Sequence, residues 1–397
     1  MDITIDNLFA FLIFLLLVIT FLGYIVPSTY LSFTTTEQHQ LEVIAEGTMD
    51  KFLLSTGDPL DWGKDITINA STLSAFGLRK NGGDVYELDI DKALRIANVG
   101  PAQLPTTVQI DSDTVSRLLG LREPRRYDYS LRIIPALNVS VRILANYSLK
   151  GTESVPSILA VTVLNPDGRP ASNTNVTGLY LLMNARMKGN DETVYMNYTY
   201  FTQVSNWEGK CNLNFTSWIK AVESDIGSSQ LKKTSTAVTI YGDYYGIRST
   251  SSFALSSALQ GSIVGRYLIV EFPIEELPKG ARQMQNATAL SIPPYYVYLD
   301  YLHNETNGQS GMIVNAGSKK YRVYALGNDV DDDVSFIFVP VKYLGQYTAI
   351  TFMRPPINLG SQSATPGGVK TSVLRRLVRI GSWHYIVQIT VWRQAQF

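Results

Sequence analysis

An uninterrupted apolar stretch near the start of the chain constrains the fold more than any other feature. Residues 8–26 read LFAFLIFLLLVITFLGYIV; none is charged, and Thr20 is the one clearly polar side chain. A helix of this length measures about 28 Å, close to the roughly 30 Å hydrocarbon core of a bilayer. The stretch therefore predicts a single membrane-spanning helix, with the rest of the chain on one side of the membrane.

A second helical pattern follows. Over residues 30–55, mostly apolar side chains recur at three- and four-residue steps, as in an amphipathic helix. They are Leu41, Ile44, Ala45, Thr48, Met49 and Phe52. Gly57 and the Asp58-Pro59 pair end the pattern, because glycine favours the left-handed helix-terminating conformation and a residue before proline avoids the helical one. We therefore expect residues 1–56 to form one long helix with a kink near Pro27.

Composition restricts the class of protein. The chain has 397 residues with 34 basic and 34 acidic side chains, and this balance argues against nucleic-acid binding, which needs a basic surface. Charged residues make up 17% of the chain, below the roughly 25% of soluble domains, and tyrosine reaches 23 residues. This composition favours extracellular β-structure. Because Cys211 is the one cysteine, an intrachain disulfide is excluded.

The patterns after the helix predict an α+β, mostly β fold in three parts. Residues 57–151 combine turns, short helices and the first alternating strands of a head. Residues 152–257 hold short strands between Gly, Pro and Asn turns, as in an immunoglobulin-like β-sandwich. Residues 258–397 form the β-rich remainder of the head, and their apolar closing strand is expected to be central in its sheet. If that strand pairs with the sheet begun before residue 150, the sandwich module is an insertion; otherwise it is not.

Catalytic and metal-binding motifs are sparse. His39, His303 and His384 lie outside any zinc-ligand spacing, and Cys211 has no motif around it. The sequence contains no nucleophile elbow, P-loop or dinucleotide-binding glycine loop. We therefore expect no enzyme activity and no cofactor.

One acidic run has the oxygen density of a calcium site. It is NDVDDD, with Asp329, Asp331, Asp332 and Asp333, and it lacks the glycine and closing glutamate of an EF-hand loop. The run is interpreted either as a solvated turn or as a weak Ca²⁺ site.

Eight Asn-x-Ser/Thr sequons are candidate acceptors for N-linked glycans. They are Asn69, Asn138, Asn146, Asn175, Asn197, Asn214, Asn286 and Asn304. The alternative is that asparagine and threonine serve here as turn and strand residues. Since no Lys or Arg precedes residues 8–26, the positive-inside rule gives no orientation, and the sequons place the bulk of the chain outside the cell. The same lack of a basic region favours an uncleaved anchor over a secretory signal.

The layout resembles type IV pilins and their archaeal pilin-like relatives. The segments that carry the resemblance are DKFLLSTGDPLDWG, FGL at 76–78, YDYSLRIIPALNVSV and the closing LRRLVRIGSWHYIVQITVWR. The resemblance implies a long helix carrying a pilin-like β head. Such proteins start with a basic leader that is cut before the mature helix. Cleavage before Asp2 would place Asp6 where many pilins carry an acidic residue that pairs with a neighbouring subunit's amino terminus; the alternative is that Asp2 and Asp6 cap the helix.

Two functions are therefore expected. The first is a structural cell-surface subunit, held by residues 8–26 in membrane lipid or among sister subunits of a filament, with a head for adhesion or subunit contacts. The second is a monomeric, membrane-anchored extracellular protein that binds a carbohydrate or a protein, since clustered tyrosines are suited to stacking on surface glycans or to a protein interface.

Overall fold

The computed structural model describes most of the chain. The described residues are 3–21, 26–97, 104–121, 127–149, 154–188, 191–226, 231–255, 260–271, 286–290, 295–300, 312–316, 319–326, 330, 332, 334, 336–343, 346–354 and 370–393.

Five helices and eighteen strands occur within these residues. The helices are α1 (Ile3–Thr20), α2 (Val26–Leu54), α3 (Ile90–Ala97), α4 (Ser112–Leu119) and α5 (Thr216–Ile226). The first nine strands are β1 (Tyr127–Pro135), β2 (Asn138–Ser148), β3 (Ser154–Leu164), β4 (Asn175–Lys188), β5 (Asp191–Val204), β6 (Lys210–Asn214), β7 (Leu231–Tyr244), β8 (Ile247–Leu255) and β9 (Gln260–Val264). The other nine are β10 (Tyr267–Glu271), β11 (Asn286–Leu290), β12 (Tyr295–Asp300), β13 (Met312–Ala316), β14 (Lys319–Leu326), β15 (Phe336–Tyr343), β16 (Gln346–Met353), β17 (Thr371–Ile380) and β18 (Trp383–Arg393). The fold is mostly β, and its sheets are largely antiparallel.

The described residues show two helical segments in the first 56 positions, α1 and α2. Residues 22–25 between them lie outside the described residues, so one continuous helix is not shown. The predicted end is confirmed, because α2 stops at Leu54 and Gly57 takes a φ of 76°.

The head is a three-stranded antiparallel sheet covered by α2, α3 and α4. Its strand order is β1-β18-β17, so the closing strand is central, as the sequence predicts. Its pairing with β1 is continuous from Tyr127 opposite Arg393 to Pro135 opposite Tyr385. The predicted stripe of α2 is buried against this sheet, with Leu41, Ala45 and Phe52 in the shared core. The apolar faces of both elements are therefore covered by each other.

The second unit is a β-sandwich. The sheet β2-β3-β6 and the sheet β5-β4-β7-β8 share one apolar core, to which Leu159 contributes from the first sheet and Leu182 from the second. We expected the strands before residue 150 to form one sheet; instead β1 belongs to the head and β2 pairs with β3. Helix α5, which the strand pattern did not predict, closes this core with Ile219 and Val222.

The third unit is an eight-stranded sheet of order β10-β9-β16-β15-β11-β12-β14-β13. A small apolar cluster that includes Ile66, Val108, Val264 and Tyr321 joins it to the segments before and after α3. All described strands between β1 and β17 belong to the second and third units. The head is therefore built from the two ends of the chain.

Candidate functional site

Helix α1 exposes apolar side chains in every direction. The exposed large residues are Phe11, Leu12, Ile13, Phe14, Leu15, Leu16, Leu17, Ile19 and Phe21. Seven of these are consecutive, and consecutive helical residues point about 100° apart, so no face of this segment is covered by described residues. Within the described part of the chain, no helix has the combined length and apolarity needed to cross a membrane.

Helix α2, in contrast, is firmly attached to the head. Phe52 is fully buried, and its ring centroid lies 5.1 Å from that of Phe76 and 5.7 Å from that of Tyr129. Burial of an aromatic side chain of this size stabilises a fold by several kcal/mol, so α2 and the head form one structural unit (about 3–5 kcal/mol lost on truncation).

Charged groups also hold the upper part of α2. The Nζ of Lys370 donates to a carboxylate oxygen of Glu37 at 2.9 Å, and Nη1 of Arg393 lies 3.6 Å from the other oxygen. The hydrogen bond from Lys370 lowers the pKa of Glu37. A surface cavity of about 200 Å³ lies beside this ion pair, with Leu41 and Tyr127 among its lining residues.

Helix α3 buries four charged side chains in the middle of the protein. They are Asp89 (just before the helix), Asp91, Lys92 and Arg95. The Nζ of Lys92 donates to the carbonyls of Thr56 and Arg79, both at 2.9 Å. Burial lowers the pKa of Lys92 and lowers that of Arg95 to about 10.

Arg95 connects the surrounding loops through backbone oxygens. Its guanidinium donates to the carbonyls of Trp62, Asp65, Ile68 and Val108. It also lies 5.6 Å from the ring centre of Trp62, whose Nε1 donates to the Gly77 carbonyl at 3.2 Å. Backbone carbonyl oxygens, and not carboxylates, therefore accept the hydrogen bonds of this buried cation. The same hydrogen bonds hold the loops that follow α2 in place.

Asp91 forms an ion pair with Arg354, which follows β16. Nη2 of Arg354 lies 3.2 Å from Oδ1 of Asp91, and both side chains are almost fully buried. Burial raises the pKa of Asp91 to about 6, an effect that the Arg354 cation opposes. This ion pair is a structural contact between the head and the third unit. Sequence reasoning missed this junction; the one signal was the number of charges in the helical segment IDKALRIA.

The acidic run of the predicted calcium site is described at Asp332. The Nζ of Lys80 donates to its Oδ2 at 2.6 Å and lies 3.4 Å from Oε1 of Glu87. Asp329, Asp331 and Asp333 lie outside the described residues. Among the residues that are described, no group of three or more His, Cys, Asp or Glu side chains is arranged to hold a metal ion.

The structure places the other predicted site residues on separate surfaces. Asp6 lies in α1, and its side chain is not described. Asn138, Asn146, Asn175 and Asn214 are exposed, while Asn69 and Asn197 are half-buried. Asn286 lies in β11 without a described side chain, and Asn304 lies outside the described residues.

Exposed aromatic side chains collect around β5. Tyr198 and Tyr200 are exposed on one face of this edge strand, and Trp207 in the following turn is 79% exposed. Tyr245, in the turn between β7 and β8, is 84% exposed. The register pairs the end of β5 and the end of β7 with the same end of β4, so both turns lie at one end of the sheet.

Comparison with known proteins adds little. No model of a known protein family matches the sequence, and no curated protein matches it. The chain is similar to two solved structures of Escherichia coli alpha-2-macroglobulin, one activated by porcine elastase and one activated by trypsin, each at 11% identity. The matches cover 61% of this chain but 23% and 18% of the macroglobulin chains, with TM-scores of 0.20 and 0.19. The likeness is too weak to assign a fold or a function.

Proposed function

We propose that this chain is a structural cell-surface protein, type IV pilin-like, that is anchored or assembled through α1 and presents a β-rich head outside the cell. The main observation in support of this proposal is the contrast between the first two helices. The large apolar side chains from Phe11 in α1 to Phe21 just after it are mostly exposed, whereas the apolar stripe of α2 from Leu41 to Leu53 is buried in the head.

The exposed part of α1 requires a partner in any stable state of the protein. Burying one leucine or phenylalanine side chain contributes about 1.5–3 kcal/mol, and nine large apolar side chains are exposed here. Lipid tails or the same helix of sister subunits are suited to such a surface, because both present apolar groups all round. The protein is then a single-pass surface protein or the subunit of a filament.

The course of the chain through the head supports the pilin-like interpretation. An N-terminal helix lies across an antiparallel sheet, and the first and last strands of the head are hydrogen-bonded neighbours. In this proposal residues 1–56 are the anchor and spine, and the head is completed by α3, α4, β1, β17 and β18. The β-sandwich, which we take as an immunoglobulin-like module, and the third unit are both inserted between β1 and β17.

Asp6 provides the test of assembly. If its carboxylate pairs with the amino terminus of a neighbouring subunit, Asp6→Ala abolishes filaments seen by negative-stain microscopy, while Asp6→Glu retains them. The amount of head exposed at the cell surface is the control, and it stays unchanged in both variants. If Asp6→Ala formed normal filaments, the proposed pairing of Asp6 with a neighbouring amino terminus would be wrong, and only anchoring through α1 would remain proposed.

The exposed aromatic side chains favour a second candidate function, that of a monomeric anchored protein that binds carbohydrate or protein. Tyr198, Tyr200 and Trp207 present flat rings to solvent on and beside β5. Rings of this kind stack on sugars or form the core of interfaces. Binding of the full chain to a glycan array, lost in Trp207→Ala and kept in Val43→Ala, would support this function over assembly.

A further inference from the structure

The sheet β2-β3-β6 has one covered face and one open face. Its covered face contributes Val139, Leu159 and Leu213 to the sandwich core. The alternate residues along the same strands point to the other side, because side chains alternate across a strand. On β2 these include Asn138, Ser140 and Arg142, all exposed.

Of the sequon asparagines whose side chains are described, four are exposed, and three of these four lie on this open face. Asn138 is opposite Leu164 of β3, Asn146 is opposite Pro156, and Asn214 of β6 is opposite Ile158. The pairing of β2 with β3 shifts at Ile143/Ala145 and at Ala145/Asn146. Beyond these shifts Tyr147 and Val155, the neighbours of Asn146 and of its partner, still pack in the sandwich core, so Asn146 lies on the opposite face with the other two asparagines. Strands of 11 and 5 residues in a chain of 397 thus carry three of the eight sequons.

The three asparagines are spaced across the whole face. Asn138 and Asn146 lie at opposite ends of β2, about 26 Å apart at 3.3 Å per residue. Asn146 and Asn214 lie on either side of β3, opposite Pro156 and Ile158, and are about 12 Å apart across two strand spacings and a two-residue offset. No two therefore compete for the same space, and together they surround the face.

This face needs a cover. It includes the half-exposed apolar side chains of Ile158 and Leu164. In the described part of the chain, β2 and β6 each pair on one side, with β3, so both present an open edge of backbone N–H and C=O groups. Open edges and apolar faces of this kind favour pairing with other chains unless they are blocked.

We propose that Asn138, Asn146 and Asn214 carry N-linked oligosaccharides, which cover the open face and both edges of the sheet β2-β3-β6 and prevent it from associating with other chains. The proposal rests on the extracellular placement proposed above. It separates this face from the aromatic surface near β5, which stays available for contacts.

The modification is a glycosyl transfer from a lipid-linked oligosaccharide. The side-chain Nδ2 of each asparagine forms a bond to C1 of the first sugar, while the bond from C1 to the lipid phosphate oxygen breaks. The phosphate leaves with the electron pair of that bond, and the amide releases one proton. The hydroxyl group two residues later, on Ser140, Ser148 or Thr216, completes each acceptor sequence.

The test combines mass spectrometry with a measurement of association, on the full chain isolated in detergent from the cells that produce it. We expect glycopeptides at all three positions. In the triple variant Ser140→Ala, Ser148→Ala, Thr216→Ala, which keeps every asparagine, the three glycans are absent and the mass found by light scattering at least doubles. Thr177→Ala is the control. It removes the sequon of Asn175, the first residue of β4 in the other sheet, and it is expected to leave the mass found by light scattering unchanged.

Two results would overturn the proposal. Unmodified peptides at all three asparagines would show that the glycans are not attached. A triple variant that associates no more than wild type would show that the glycans do not prevent association. Protease accessibility of the head on intact cells is measured in parallel. A protected head would show that the extracellular placement itself has failed, whereas an accessible head with unmodified asparagines would overturn the glycan proposal alone. A thermal unfolding curve of the triple variant that matches wild type confirms that the fold is kept.

Discussion

Asp91 and Arg354 form a buried ion pair between positions 263 residues apart in the sequence. Asp91 lies in α3 at the base of the head, and Arg354 follows the last strand of the third unit. Nη2 of Arg354 also lies 3.4 Å from the carbonyl oxygen of Gly265, in the turn between β9 and β10. The pair therefore holds the head and the third unit together through one guanidinium group.

Removing the cation from this pair is expected to destabilise the protein strongly. Arg354→Met leaves the buried Asp91 carboxylate without its partner, which costs about 3–5 kcal/mol of unfolding free energy. The double variant Asp91→Leu, Arg354→Met is expected to recover much of that loss, because no buried charge remains. Urea unfolding of the full chain in detergent measures both. The exposed pair Arg248–Asp243 supplies the control, and Arg248→Met is expected to cost less than about 1 kcal/mol.

The pH dependence of stability follows from the same carboxyl group. Its pKa in the folded protein, about 6, lies above the ordinary value of 3.8, so the folded state binds more protons between these values. The contribution of Asp91 to stability is therefore fully present below about pH 4 and is lost as the pH rises through about 6. Relative to wild type, Asp91→Asn is expected to abolish this fall in unfolding free energy between about pH 4 and pH 6. If unfolding free energy depended on pH in Asp91→Asn as it does in wild type, the raised pKa of Asp91 would be contradicted.

Those parts of the fold that follow local patterns were predictable from the sequence. The stripe of α2 has helical spacing, and α4 has capping residues of the usual types, with Asp111 accepting from the Thr114 N–H and Gly120 in the left-handed conformation. The apolar β18 was expected to be central, and it lies between β1 and β17.

The parts that depend on distant partners were not predictable. Nothing near Asp91 in the sequence points to Arg354, and Lys92 is satisfied by the Thr56 and Arg79 carbonyls, which carry no sequence signal. The turn between β1 and β2 likewise sends two similar alternating strands into different sheets. The exposed sequons could be found in the sequence, but their common face required the strand register.

The attachment of α2 can be tested by truncating its buried and exposed side chains. Phe52→Ala removes a fully buried ring that contacts Phe76 and Tyr129 and is expected to cost about 3–5 kcal/mol of unfolding free energy. Val43→Ala on the exposed side of the same helix is expected to cost less than about 0.5 kcal/mol. Equal losses in chemical denaturation would show that α2 does not pack on the head through this stripe.

The central claim is that the apolar surface of α1 holds the protein in a membrane or a filament. Fractionation of cells that produce the full chain tests it most directly, by comparing wild type with Leu12→Glu, Leu16→Glu, whose two side chains are exposed one turn apart on α1. Wild type is expected in the sedimented membranes or filaments, and the variant in the supernatant with an unchanged head. Val43→Glu, on the exposed side of α2, is the matched control and is expected to sediment like wild type. A wild-type chain found as a monomer in the aqueous supernatant, or a double variant that sediments as fully as wild type, would contradict the claim.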